Sequence, residues 1–252
     1  MQIDGYEIDI VVQGFPGKSV CHGGLGWSTV VLIRGHGRTS LIDVGSFGMR
    51  RMLVDRLAKR GLKPADVTDL LLTHAHHDHC VNWTLFRDAR IVMGALELET
   101  ALQEPWGETP TPELYVQVLK DWPTLQTLGD GEEALPHITA HVAPGHTRGH
   151  LIFVLHGTER DVIFTGDAAK NRAELICREV DMTYDPKIST ASINMIWELW
   201  RRRPDTVLVP GHDLPMTQEN GACRYMGTRE AAITAWFGDD LETVTRFQLT
   251  LS

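Results

Sequence analysis

The sequence predicts an α/β protein in which two mixed β-sheets face each other and helices cover their outer faces. Short β-branched runs alternate with amphipathic stretches along all 252 residues. The strand candidates form two groups, and each group has helices of its own, which favours two α/β layers packed sheet to sheet. The length fits a single domain over residues 1–252, with two similar halves at roughly 1–128 and 129–252.

The predicted strands are short runs rich in valine, isoleucine, leucine and threonine, bounded by turn residues. They lie at residues 7–12, 28–34, 39–43, 69–72 and 90–92 in the first half, and at 138–142, 151–155, 161–164 and 206–209 in the second. Gly35-His36-Gly37 separates the second and third of these runs and predicts a hairpin turn.

The predicted helices cover residues 48–60, 112–122, 189–203 and 229–237. Met49, Leu53 and Leu57 place one apolar stripe along the first helix, as expected for a helix that packs on a sheet. Ser189 or Thr190 is the predicted cap of the third helix, and Pro204 ends it.

Composition excludes several classes of partner. The net charge of −9 argues against a nucleic-acid ligand, because phosphate binding needs clustered lysine and arginine. The apolar runs are too short to cross a membrane, and the start of the sequence shows no signal peptide. Four widely spaced cysteines favour a reducing, cytoplasmic location. The 12 histidines are unusual for an acidic chain and indicate that some of them have a functional role.

A cluster of metal-binding residue types follows the predicted strand at residues 69–72. His74, His76, Asp78 and His79 would share one compact turn where the chain leaves the sheet. Alternate residues can face the same way, so His74 and His76 can bind one metal. Asp78 and His79 can then bind a second. Imidazole and carboxylate groups suit Zn²⁺ and similar ions.

Three further segments each end a predicted strand with a polar side chain. A Pro-Gly turn precedes His146 and again His212, and a Thr-Gly turn precedes Asp167, whose two oxygens can bridge two cations. With the first cluster these residues make five histidines and two aspartates. Two metals roughly 3.5–4 Å apart with a bridging hydroxide need about that number of ligands.

The order and spacing of these residues resemble the metallo-β-lactamase-fold superfamily. The resemblance rests on His74-x-His76-x-Asp78-His79 followed by His146, Asp167 and His212, and it covers roughly residues 8–215. It implies an αβ/βα sandwich of four layers, with two Zn²⁺ ions per chain in a groove at the sheet edges. Iron and manganese also fit such sites.

The family pattern also implies a role for each residue. The first metal would take His74, His76 and His146, the second would take Asp78, His79 and His212, and Asp167 would bridge them. Asp78 and Asp167 would be the catalytic acids, with Asp78 passing a proton to the leaving group. Asp43, in an Asp-x-Gly turn, and His150 would support the ligands without touching a metal.

Within the superfamily the chain most resembles the N-acyl homoserine lactonase branch. The three-residue gap between His146 and His150 and the pair Asp185-Pro186 match that branch. Lys170 replaces the tyrosine that the branch uses to hold the substrate carbonyl. Lys170, Tyr184 and His22 are therefore the candidate residues for binding a small-molecule substrate.

The predicted substrate pocket involves residues 102–128 and 170–186, since long connections over a rigid scaffold tend to carry specificity. Trp106, Tyr115 and Trp122 belong either to this pocket or to the core or a homodimer interface.

Alternative functions remain open. A glyoxalase II-like thioesterase uses the same ligand pattern but carries a longer helical C-terminal part than the 40 residues after His212. A cyclic amide hydrolase is a second alternative. A non-catalytic metal-binding module of the same fold is a third, and metal content together with turnover of a lactone would distinguish it.

Overall fold

Two facing β-sheets form the centre of this chain in a computed structural model that describes residues 1–21 and 23–250. Within that range each of the two sheets has seven strands, and two shorter ladders lie outside them. The predicted fold class, an α/β sandwich of two mixed sheets with helices outside, is confirmed.

The first sheet is built from the first half of the chain, in the order β1-β2-β5-β6-β7-β8-β9. Strands β1, β2, β5 and β6 pair antiparallel in that order, while β6 to β9 pair parallel. The strands of this half are β1 (Gln2–Ile3), β2 (Tyr6–Val12), β3 (Lys18–Ser19), β4 (Gly23–Gly24), β5 (Val30–Gly35), β6 (Arg38–Ile42), β7 (Asp69–Leu71), β8 (Arg90–Gly94) and β9 (Leu125–Leu128).

The second sheet has the strand order β10-β11-β12-β13-β14-β15-β16, and only β13 and β14 pair parallel within it. A separate hairpin follows it along the chain. The strands of this half are β10 (Glu133–Leu135), β11 (Ile138–Val142), β12 (Leu151–Leu155), β13 (Val162–Gly166), β14 (Val207–Pro210), β15 (Met216–Glu219), β16 (Ala222–Tyr225), β17 (Ala232–Ala235) and β18 (Thr245–Gln248).

The helices lie between these strands along the chain. Short 3-10 turns precede α1 and follow β13. The helices are α1 (Arg50–Ala58), α2 (His77–Cys80), α3 (Ala95–Ala101), α4 (Glu113–Leu119), α5 (Arg172–Cys177) and α6 (Pro186–Arg201).

Three buried apolar clusters explain the layering. The central cluster joins residues of both sheets, among them Ile33, Leu71, Phe153 and Val209, so the sheets pack face to face. A second cluster joins the other face of the first sheet to helix α1, and a third joins the second sheet to α6. Every residue of β12 is buried, as expected for a strand covered on both faces.

Helix α6 begins earlier than the sequence prediction placed it, so the predicted cap at Ser189 or Thr190 is wrong. The side chain of Asp185 accepts hydrogen bonds from the backbone N–H groups of Lys187 and Ile188, and Pro186 occupies the first turn. Proline suits that position because its fixed φ matches a helix and its missing N–H is not needed there. Ser189 is buried and bonds to the hydroxyl of Thr183 at 2.6 Å.

The predicted helix at residues 229–237 is also wrong, since β17 occupies part of it. Ile233 and Thr234 in this run are β-branched, and they pair with Phe247 and Arg246 of β18. The partner strand lies ten residues further on, so the local pattern could not reveal the pairing.

The described part of the chain contains no helix with the length and apolar character needed to span a bilayer. All four cysteines are free thiols, two of them buried and two exposed.

Candidate metal centre

The ends of four strands deliver the predicted ligands to one edge of the sandwich. His74 and His76 follow β7, His146 follows β11, Asp167 follows β13, and His212 follows β14. Asp78 and His79 lie on the single turn of α2. Most of these side chains are buried; that of Asp78 keeps 21% of its surface exposed.

The donor atoms of these residues meet in two groups, and His74, His79 and Asp167 form a third group that links them. His74, His76 and His146 form the first, in which Nε2 of His146 lies 2.9 Å from Nδ1 of His76. Two nitrogens bound to one tetrahedral zinc are about 3.3 Å apart, given metal–nitrogen bonds near 2.0–2.1 Å. The spacing in this group therefore suits a single cation.

The second group contains Asp78, His79 and His212. Nε2 of His79 and Nε2 of His212 are 3.2 Å apart, and Asp78 Oδ2 lies 3.3 Å from the latter.

Asp167 lies between the two groups. Its Oδ2 is 3.4 Å from Nε2 of His146, while its Oδ1 is 3.2 Å from Nε2 of His79 and 3.3 Å from Nε2 of His212. A carboxylate in this position can reach a cation on either side. Gly211 leaves room for the carboxylate of Asp167, because a Cβ on residue 211 would come within 2.3 Å of Asp167 Oδ1.

Two buried atoms of the cluster have no hydrogen-bond partner among the described residues. They are Nε2 of His74 and Oδ1 of Asp167. Buried polar atoms are costly unless they are satisfied, and a divalent cation in each group would satisfy both of these. The nitrogen and oxygen donors are also the types that zinc binds. The residues present therefore fit a two-metal centre.

Hydrogen bonds behind the cluster orient the histidine rings. Thr73 donates its one hydroxyl hydrogen to Asp43 Oδ2 at 2.8 Å, so it accepts from Nδ1 of His74 at 3.0 Å. His79 donates from Nδ1 to the same carboxylate at 2.7 Å, and His146 donates from Nδ1 to the Met182 carbonyl at 2.8 Å. Each ring then presents the lone pair of Nε2 to the cluster.

The charge states of the histidines differ across the centre. Burial lowers the pKa of His76 to about 4 and holds those of His74 and His146 well below the usual value. Burial alone would also lower the pKa of His212, but Asp167 and Asp78 outweigh it and raise the value to about 9. The first group is therefore neutral and ready for a cation at pH 7. In the second group His212 has to release a proton first, and so does His79, because Asp167 and Asp78 outweigh burial and raise its pKa well above the usual value.

Glu97 is a supporting residue that the sequence analysis missed. Its buried carboxylate accepts hydrogen bonds from the Ala75 N–H at 2.8 Å, the Thr147 hydroxyl at 2.7 Å and the Gly149 N–H at 3.1 Å. It thereby ties the His74–His76 turn to the loop that carries His146. A glutamate in the first turn of α3 gives no sign of this role in sequence.

His150 lies behind the cluster. Its Nε2 accepts the backbone N–H of Asp167 at 3.0 Å, and its ring stacks on that of His74 with 4.8 Å between centroids. This contact holds the turn after β13 in place. His77, the remaining histidine of the first motif, is exposed.

The three candidate substrate residues have different surroundings. The ammonium of Lys170 is already paired with Glu174 at 3.0 Å and with the Asp181 carbonyl at 2.6 Å. Tyr184 lines the cavity next to the first metal group and keeps 41% of its surface exposed. His22 lies outside the described residues. The ligand and substrate roles themselves stay predictions.

A cavity of about 410 Å³ adjoins the first metal group. His76 and His146 form part of its wall, and residues from the two predicted segments close it, including Glu104, Thr111 and Tyr184. The cavity is large enough for a small acyl compound.

The large aromatic residues of the first segment do not belong to this cavity. Tyr115 and Trp122 line a separate groove, in which Trp122 packs against Trp83 with 4.9 Å between ring centroids. The indole N–H of Trp122 is also held by the Arg87 carbonyl. Trp106 is 64% exposed.

Known proteins are similar to this chain in sequence. N-acyl homoserine lactonase AiiA from Bacillus thuringiensis subsp. kurstaki is 25% identical over 175 residues, which cover 68% of this chain. The match spans 65% of the lactonase, slightly under two thirds of its length. Metallo-beta-lactamase domain-containing protein 1 from Xenopus laevis is 28% identical, with 74% of this chain and 71% of that protein covered.

Solved structures share the fold. A Thermotoga maritima protein of the metallo-beta-lactamase type superposes with a TM-score of 0.68 at 26% identity, covering 85% of this chain and all of that one. The dizinc quorum-quenching lactonase AidC, solved with N-hexanoyl-homoserine product, shares the fold at a TM-score of 0.66 and 16% identity, covering 91% and 93% of the two chains. The sequence profile of the metallo-beta-lactamase superfamily matches residues 23–212. With that match over most of its length and the seven convergent donors, the chain belongs to the metallo-beta-lactamase superfamily.

Proposed function

We propose that this protein is a binuclear metal-dependent hydrolase that opens a small lactone or cleaves a related ester. The observation that carries the proposal is the position of Asp167 between two groups of histidines, with one buried oxygen that makes no hydrogen bond. Such an arrangement suits two cations that share one carboxylate. We take zinc as the expected metal, and iron and manganese suit the same donors.

Bound divalent cations would polarise a carbonyl oxygen and make water acidic enough to attack at neutral pH. The residues of this chain determine where the substrate and the metal-binding rings would lie. The first histidine group borders the cavity, so a substrate carbonyl would enter from that side. The rings fixed by Thr73, Asp43 and Met182 keep their orientation throughout.

Asp78 is the residue that can move a proton. Burial raises the pKa of its carboxyl, but His79 and His212 outweigh this and lower it below the usual range. The group is therefore ionised at neutral pH and can accept a proton at its carboxylate. Its side chain is 21% exposed, so it can pass that proton to the oxygen that leaves the acyl carbon.

The lactone preference is supported by the relatives that act on N-acyl homoserine lactones and by a cavity of suitable size. A cytoplasmic location agrees with four free thiols.

The test is metal content measured together with turnover of a panel of lactones, esters, thioesters and cyclic amides. We expect close to two metals per chain and the highest kcat/KM on a lactone. A clear preference for a glutathione thioester or a cyclic amide would reverse the substrate ranking. Two bound metals without turnover of any of these compounds would indicate a non-catalytic binding module.

Asp167→Ala tests the bridging position. We expect the variant to lose metal and activity together, because one carboxylate contacts both donor groups. His77→Ala is the matched control, since this exposed histidine lies in the same motif and should change neither. Full activity of Asp167→Ala would contradict the proposed centre.

A further inference from the structure

A guanidinium without a carboxylate partner borders the cavity beside the metal centre. Arg148 lies two residues after His146 in the loop that follows β11, and it lines the cavity together with His76, His146 and Tyr184. In the described part of the chain its guanidinium makes a ring contact but neither an ion pair nor a hydrogen bond. A cationic group at a ligand cavity is therefore left with free donors.

The guanidinium of Arg148 lies over the aromatic ring of Tyr184. Its central carbon lies 4.8 Å from the centroid of the Tyr184 ring. Tyr184 is anchored in turn, because its backbone N–H donates to the Gly145 carbonyl at 2.9 Å. The hydroxyl of the preceding Thr183 bonds to the same carbonyl.

Stacking uses the face of a guanidinium and leaves the N–H groups at its edge free. Those edge donors match the two oxygens of a carboxylate. Arg148 is exposed, and its contact with the Tyr184 ring reduces the conformational entropy that its side chain loses when it binds an anion.

We infer that Arg148, seated on Tyr184, binds a carboxylate carried by the substrate at a distance from the bond that is cleaved. The inference rests on the proposed function and narrows its substrate class to acyl compounds with an anionic group. Glu97 and Glu104 also line the cavity, and each would repel an anion placed near it. The attraction of Arg148 and the repulsion from the carboxylates together restrict the anionic group of the substrate to the part of the cavity next to Arg148.

The first arm of the test measures discrimination. The substrates are γ-butyrolactones with a side-chain carboxylate and the matching lactones with a side-chain carboxamide. We expect wild-type protein to favour the carboxylate through KM, and Arg148→Gln to reduce the ratio of the two kcat/KM values about tenfold. Arg148→Lys should restore only part of it, because an ammonium lacks the flat pair of donors.

Arg87→Gln is the matched control for this arm. Arg87 also stacks on an aromatic ring, with 5.6 Å from its central carbon to the Trp122 ring, but it lines the separate groove. The ratio should be unchanged in that variant. An Arg148→Gln ratio equal to that of wild type would overturn the inference.

The second arm measures binding without turnover. Calorimetric titration of the zinc-loaded protein would compare glutarate with its monoamide, glutaramate. We expect glutarate to bind about tenfold more tightly in wild type and in Arg87→Gln, and the ratio to approach one in Arg148→Gln. A ratio near one in wild type, or an unchanged ratio in Arg148→Gln, would count against the inference. If no lactone is hydrolysed, the proposed function fails while this arm still decides the role of Arg148.

Discussion

At the scale of single residues, the candidate metal centre depends on side chains that hydrogen-bond to its histidines and do not contact a substrate. Asp43 is held at φ 54° and accepts from Thr73 and His79 at once. A short polar side chain tolerates this left-handed backbone better than a bulky one. The sequence suggested a supporting role for Asp43, but the hydroxyl of Thr73 and the carboxylate of Glu97 became visible only in the folded chain.

Glu97→Gln is expected to weaken the metal centre. Both glutamate oxygens accept hydrogen bonds, so the amide of glutamine would direct its own hydrogens at a donor. We expect metal affinity to fall about tenfold to hundredfold, as measured by competition with a chelator. Glu99→Gln, on the exposed side of the same helix, is the control and should retain wild-type affinity. Equal affinities in the two variants would mean that Glu97 does not position the ligands.

At the scale of elements, helix α6 shows how packing stabilises the second sheet. Trp200 is 1% exposed, and its indole N–H donates to the Thr206 carbonyl at 2.8 Å just before β14. Trp197 donates in the same way to the Leu175 carbonyl at 2.7 Å. The helix therefore holds both neighbouring connections, including the one that leads to the strand before His212.

Trp200→Ala should lower the free energy of unfolding by about 3–5 kcal/mol, because it leaves a large cavity and an unsatisfied carbonyl. Urea unfolding followed by circular dichroism would measure it. Trp236→Ala is the matched control, since that indole is 55% exposed on the C-terminal hairpin, and its effect should stay within about 0.5 kcal/mol. Similar losses in both variants would be inconsistent with the core position of Trp200.

An ion pair joins the turn after helix α1 to the first sheet and makes the free energy of unfolding depend on pH. The hydrogen bond from Arg60 lowers the pKa of Asp9 below its usual value of 3.8. The pair therefore stabilises the fold fully above pH 3.8, and this contribution is lost as the pH falls through the lower pKa of the folded state.

Asp9→Asn should accordingly cost about 0.5–1 kcal/mol at pH 7, a modest value because the pair is partly exposed. The difference from wild type should shrink as the pH is lowered below 3.8. Urea midpoints measured at both pH values would show it. A difference that grows on acidification would have the wrong sign for this pair.

At the scale of the whole molecule, the candidate centre joins the two sheets. The His74–His79 cluster follows the first sheet, whereas His146, Asp167 and His212 follow strands of the second. Cations held between them would cross-link the halves in the folded state alone, since the unfolded chain does not bring these residues together.

Removing the metals with a chelator should therefore lower the melting temperature by at least about 5 °C, given about 2.7 kcal/mol from each ligand held at a hundredfold excess over its Kd. Scanning calorimetry before and after chelation, with zinc added back, would measure this. Asp167→Ala should show little change on chelation. If the melting temperature of the wild-type protein does not change with either chelator or zinc, the metals do not contribute to the stability of the fold.

The chain by itself determined the α/β class, most of the strands and the seven donor residues. These follow from local properties: the period of apolar residues, the turn residues, and polar groups placed where strands end. The beginning of α6 was also encoded locally, in Asp185-Pro186, although the serine further on was the predicted cap. The C-terminal hairpin was not encoded locally, because its stability comes from the pairing of two separate segments, β17 and β18.

Tertiary structure alone decided which side chains work together at the centre. It placed Glu97 beneath two ligand loops and left Arg148 over the ring of Tyr184 beside the cavity. The physical reason is that the hydrogen bonds of Glu97 and the ring contact of Arg148 join segments far apart in the chain, which come close together only once both sheets have packed.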